Sequence, residues 1–157
     1  MRTQRTRISF IAIAAALMLA APAFGHVRMS PRESAPGATE RYIMRVPTER
    51  QSPTVRIEVQ FPADVTVTAL DPAQGWTIEQ KKDAQGKIVG AVWSGGSIPF
   101  AEYREFYFSA KNPATEMKLE WKAIQIYKDG TRSEWTSPEN SRTPSPVTVV
   151  KKDPARP

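Results

Sequence analysis

The stretch "TVRIEVQF" at residues 54–61 alternates without a break. Val55, Ile57, Val59 and Phe61 fall on one side of an extended chain, with Thr54, Arg56, Glu58 and Gln60 on the other. Successive side chains of a strand point to opposite faces, so this pattern describes a strand with one face in a core and one in water. Weaker versions of it predict strands near 40–46, 64–70, 75–82, 87–93, 102–110, 116–128, 131–136 and 146–151. "DAQG" (83–86) and "KDG" (128–130) carry hairpin turn chemistry. In 116–128 the apolar parity slips after Trp121, which predicts a bulge or a strand buried on both faces. "SGGS" (94–97) reads as a turn, and the Pro- and Ser-rich segments 30–39, 46–53 and 137–146 as loops. No helical periodicity of useful length follows residue 25. Eight or nine short strands in residues 26–150 predict an all-β fold, an antiparallel β-sandwich. The charged ending "KKDPARP" (151–157) has no apolar face and is expected to be disordered.

Residues 1–25 stand apart. Arg2, Arg5 and Arg7 precede the apolar run "ISFIAIAAALMLA", and "APAFG" supplies small residues for signal peptidase. The apolar run is short for a membrane span, so the reading is a signal-peptide helix that is cleaved. The mature chain is then expected to be exported, periplasmic or secreted, with no membrane span. Losing those three arginines lowers the formal charge from +6 to +3. The remaining cations are scattered among acids, which argues against nucleic acid as a partner. The chain has no cysteine, which removes thiolate metal sites, Cys nucleophiles and disulfides from consideration.

The chain also has a single histidine, His26, directly after that segment. With cleavage after Gly25 (Ala23 at −3, Gly25 at −1), His26 becomes the N-terminus. A mid-chain amide nitrogen has no lone pair to donate, whereas a free α-amino group has a pKa of about 7.7–8.0 and is readily deprotonated by a metal. That amine and the Nδ1 of its own ring close a six-membered chelate, a nitrogen set that suits Cu(II). "APA" (21–23) offers a competing cut that leaves histidine third in the chain. That position also chelates Cu(II), with a different geometry.

From His26 onward the chain resembles the YcnI-like family. The match lies in "HVRMSP" (26–31), "GATERYIMRVPTER" (37–50), "IEVQFPADV" (57–65), "GWTIE" (75–79), "WSGGSIPFAEYREFYFSAK" (93–111) and "AIQIYKDG" (123–130), followed by Trp135 and "TPSP" (143–146). Each string is weak; their shared order and spacing is specific. The resemblance implies an Ig-like β-sandwich that holds one Cu(II) in a mono-histidine brace. It places the brace on His26, an assisting glutamate on Glu40 and a covering tryptophan on Trp135. Arg28 and Met29 stand where small β-branched residues are common in the family, and many relatives carry a C-terminal membrane helix that this chain does not show.

Each carried residue also has an ordinary reading. Glu40 opens an amphipathic strand and can be a solvated edge residue, with Glu33 the substitute oxygen donor. Trp135 has a donor-only indole nitrogen and can act only through its ring face or by excluding water. Trp76, Trp93, Trp121, Met44 and Met117 read as core. One histidine and no cysteine cannot build a Ser-His-Asp or Cys-His set, and nothing singles out a carboxylate pair. The expectation is therefore a copper carrier for trafficking, storage or tolerance. Its partners would be the copper ion and another periplasmic or membrane copper-handling protein. It is not expected to be an enzyme. The contrasting expectation is an Ig-like adhesion or assembly module whose terminal histidine is incidental.

Overall fold

A computed structural model describes residues 25–152. The expected signal peptide falls on residues outside that range, apart from Gly25, as does the tail from residue 153 onward. The strands are β1 (Arg28–Ser30), β2 (Glu33–Ser34), β3 (Thr39–Pro47), β4 (Thr54–Gln60), β5 (Thr66–Leu70) and β6 (Thr77–Lys82). They continue with β7 (Ile88–Ile98), β8 (Tyr103–Lys111), β9 (Met117–Glu120), β10 (Lys122–Tyr127), β11 (Arg132–Trp135) and β12 (Val147–Val150). One sheet has the order β1-β3-β8-β5, the facing sheet β11-β10-β4-β7-β6, and a small third sheet β2-β12-β9 closes one side. All pairings are antiparallel except β2 with β12.

The core is what the alternation demands. β3 sends Tyr42, Met44 and Val46 inward and leaves Arg41 and Arg45 in water. β8 buries Phe106, Phe108 and Ala110. The opposing sheet contributes Ile57, Val59, Ala91, Trp93 and Ala123. Rings lock the two layers together: Phe106 of β8 lies 5.2 Å from Trp93 of β7, and Tyr42 lies 4.6 Å from Trp121 (centroid distances). Burying each such side chain contributes roughly 1.5–3 kcal/mol.

Three departures from the sequence reading have physical causes. The long strand expected over 116–128 is two strands, broken at Trp121. β9 pairs with β12 and β10 pairs with β4, so the chain changes sheets where the apolar parity slips. The Trp121 backbone N–H donates to Pro146 O at 2.9 Å, and its indole N–H to Thr148 Oγ1 at 3.1 Å. Second, the segment expected as a loop over 30–39 contains β2 and, with residues 28–29, β1; both are too short to display a period. Lys151 and Lys152, at the head of the expected tail, donate backbone N–H bonds to Ser34 O and the Glu116 carboxylate.

Third, "SGGS" is no turn but part of β7. Opposite it Thr54 pairs with Ile98 and Arg56 with Ser94, so the β7 side carries extra residues and bulges. Gly95 takes a φ of 83°, which suits glycine. Gly96 is required for a different reason: a Cβ there would lie 2.2 Å from Cε2 of the buried Trp76 ring. Gly96→Ala is expected to push that ring off Phe106 and cost about 1–3 kcal/mol, measured as a lower urea midpoint.

Candidate metal centre

The position of His26 follows from strand register. β1 runs antiparallel to the second half of β3, with Arg28 opposite Arg45 and Ser30 opposite Ile43. The residues just before β1 are therefore carried to the Pro47 end of β3. There the His26 ring meets Trp135 of β11 edge-on, with centroids 5.7 Å apart and planes at 63°. These two expected site residues, far apart in sequence, come together. Trp135 is only 6 % exposed.

A buried amide holds this arrangement from behind. The Trp135 indole N–H donates to Gln125 Oε1 at 3.1 Å. Gln125 Nε2 donates to Pro47 O and to Thr54 Oγ1, both at 2.7 Å. Thr54 Oγ1 in turn lies 2.6 Å from Thr48 Oγ1. Gln125, Thr48 and Thr54 are fully buried. One glutamine thus joins β11, the end of β3 and the start of β4.

Glu49, two residues beyond β3, brings a carboxylate to this end. It accepts a hydrogen bond from the Gly25 backbone N–H, one residue from the nitrogen that cleavage after Gly25 would convert to an amine. His26 and Glu49 share a cleft of about 700 Å³ with Arg50, Tyr127, Trp135 and Arg142. Among the described residues no three His, Cys, Asp or Glu side chains converge. A metal here would need a donor that is not a side chain, and a terminal amine is such a donor.

Glu40 is not brought to this end, which corrects the expected ligand set. It pairs with Ala110 while Pro47 pairs with Tyr103, at opposite ends of β3. Seven residues of extended chain separate them by roughly 23 Å. Glu40 instead accepts the Ser34 hydroxyl at 2.6 Å, within a cluster in which Asn112 Nδ2 donates to Ser34 Oγ and the Tyr42 hydroxyl donates to Asn112 Oδ1. Glu33, the substitute, is exposed and ion-paired with Lys151 at 2.8 Å. It lines a second hollow of about 360 Å³ that also touches His26, Arg28 and Arg32. Met29 is core.

The sequence reading missed Glu49 and Gln125. Glu49 lay in a segment taken as loop, and its relation to His26 depends on the three-residue β1. Gln125 carried one faint signal: a glutamine on the inward parity of a strand, between Ala123 and Tyr127.

The fold belongs to the immunoglobulin-like class. It is similar to the crystal structure of an uncharacterized protein from Nocardia farcinica with an immunoglobulin-like fold, at a TM-score of 0.72 and 22% identity, over 81% of this chain and 99% of that one. A cohesin module from a Clostridium perfringens family 33 glycoside hydrolase shares the fold at a TM-score of 0.55 and 14% identity, over 81% and 97%. The family model described as a domain of unknown function (DUF1775) matches residues 26–152, and the chain belongs to this YcnI-like family. The copper-binding protein CutI of Bacillus subtilis (strain 168) is 38% identical over 136 residues, 85% of this chain. The chain spans 66% of that relative's length.

Two outcomes follow. Gln125→Leu leaves the Trp135 N–H, Pro47 O and Thr54 hydroxyl short of partners, and is expected to cost about 2–3 kcal/mol in chemical unfolding. In the Glu40 cluster, burial and the nearby carboxylate push the Tyr42 phenol up to about 12. The raised value favours the neutral phenol in the fold, so its contribution is complete below about pH 10 and lost as the pH climbs toward 12. Unfolding free energy is expected to fall by roughly 2–3 kcal/mol across that window, with a flatter slope in Tyr42→Phe.

Proposed function

We propose that this protein, after removal of its leader following Gly25, binds one Cu(II) at the new N-terminus as cargo. The His26 amine and Nδ1 supply two nitrogens. Glu49 supplies an oxygen, taking the role that the resemblance assigned to Glu40, and Trp135 covers the ion with its ring. The observation that carries this reading is the meeting of His26 with Trp135 at 5.7 Å, on the cleft that Glu49 lines. The naming of the Bacillus relative as copper-binding supports the choice of metal. Such a site serves trafficking, storage or tolerance in an exported compartment, with exchange to another copper-handling protein. One imidazole and a terminal amine suit a carrier, and no catalytic role is proposed for them.

The test is Cu(II) titration of processed protein whose intact mass places His26 first. One equivalent is expected to bind, with affinity lowered roughly 100-fold or more in His26→Ala and about tenfold in Glu49→Gln. A mature chain beginning at Phe24, or binding indifferent to His26→Ala, defeats the reading.

A further inference from the structure

Four arginines and three glutamates line the two hollows that touch His26. Arg50 and Arg142 line the cleft on one side. Arg28 and Arg32 line the hollow on the other, where Glu33 and Glu139 are held by Lys151 and Lys118. A centre of Cu(II), amine, imidazole and one carboxylate carries net charge +1, and a planar Cu(II) site retains a fourth corner. The cleft beside it, about 700 Å³, matches the size of small-molecule sites, which pair apolar and aromatic walls with a few placed polar groups. Trp135 and Tyr127 form such walls. Arg50 is pre-arranged: its guanidinium stacks 4.7 Å over the Tyr127 ring, and Nη1 donates to Thr131 Oγ1 at 3.2 Å. Those contacts leave further N–H donors of the fork, whose geometry suits a carboxylate.

We infer that this cleft binds a small carboxylate-bearing molecule, its carboxylate met by Arg50, beside which Arg142 lines the same cleft, and its apolar body by Trp135 and Tyr127. The inference rests on the proposed copper site for one step: an outside carboxylate closes the open corner of the ion and neutralises the centre. Copper would then be held as a mixed complex, and an incoming carboxylate chelate would be a better donor than the free ion.

Benzoate is the probe, with benzamide as its uncharged near-isostere. Added to processed, copper-loaded protein, benzoate is expected to shift the copper paramagnetic resonance spectrum and saturate at about millimolar concentration, while benzamide does not. Joint Arg50→Gln and Arg142→Gln substitution is expected to weaken benzoate about tenfold or more. Cu(II) affinity in carboxylate-free buffer should hold or rise in that variant. Equal response to both probes, no saturable response, or unchanged benzoate affinity in the double variant overturns the inference. The same titration on metal-free protein, followed by the indole N–H resonance of Trp135, separates the two proposals. If copper fails to load at His26 but benzoate still binds in an arginine-dependent way, the copper reading falls and the carboxylate cleft stands. Absence of benzoate binding to both forms removes the cleft as well.

Discussion

A buried primary amide cannot leave its N–H groups and carbonyl unpaired without a penalty of about 1–3 kcal/mol for each orphaned group. Gln125 meets that demand by bonding Pro47, Thr54 and Trp135 at once. Those partners sit on three different strand ends, so satisfying one side chain aligns the whole end of the sandwich. The Trp135 ring is held against His26 by this bond, and Pro47, through its carbonyl, sets where the chain turns to deliver Thr48 and Glu49. An apolar residue at 125 would fill the space without fixing any of these positions.

The rigidity behind that end comes from the aromatic core. Phe106, Trp93, Tyr42 and Trp121 bridge the layers at centroid distances near 5 Å. Loop side chains can be held in a defined cleft because the strands that carry them cannot shift relative to one another. The opposite end of β3 has a polar cluster of its own, built from Ser34, Glu40, Tyr42 and Asn112. Glu40 belongs to that cluster, and its place there shows how a residue can match a motif by position in sequence yet serve the fold.

Several strands were legible because they alternate. β3, β4 and β8 lie within a residue or so of where their periodicity puts them, since each buries one face for five residues or more. The slip after Trp121 was also legible, though only coordinates decide whether a parity change means a bulge or a change of sheet. β1 and β2 were not legible: two or three residues display no period, and their pairing is imposed by β3 and β12. "SGGS" misled because glycine pairs usually mark turns, whereas here one glycine accommodates a bulge and the other the face of Trp76.

The sequence by itself determined that the regular elements of the chain from residue 26 on are β, and that Trp76, Trp93 and Trp121 are core. It also drew attention to His26, the chain's one imidazole, because residue chemistry needs no knowledge of distant contacts. Only the tertiary structure decided that Glu49 shares a cleft with the histidine and Glu40 does not. Glu40 and Glu49 are equally available as oxygen donors on paper. Antiparallel registry of a three-residue strand sends His26 to the end where Glu49 waits and away from Glu40. Register is a property of paired strands, and no single segment contains it.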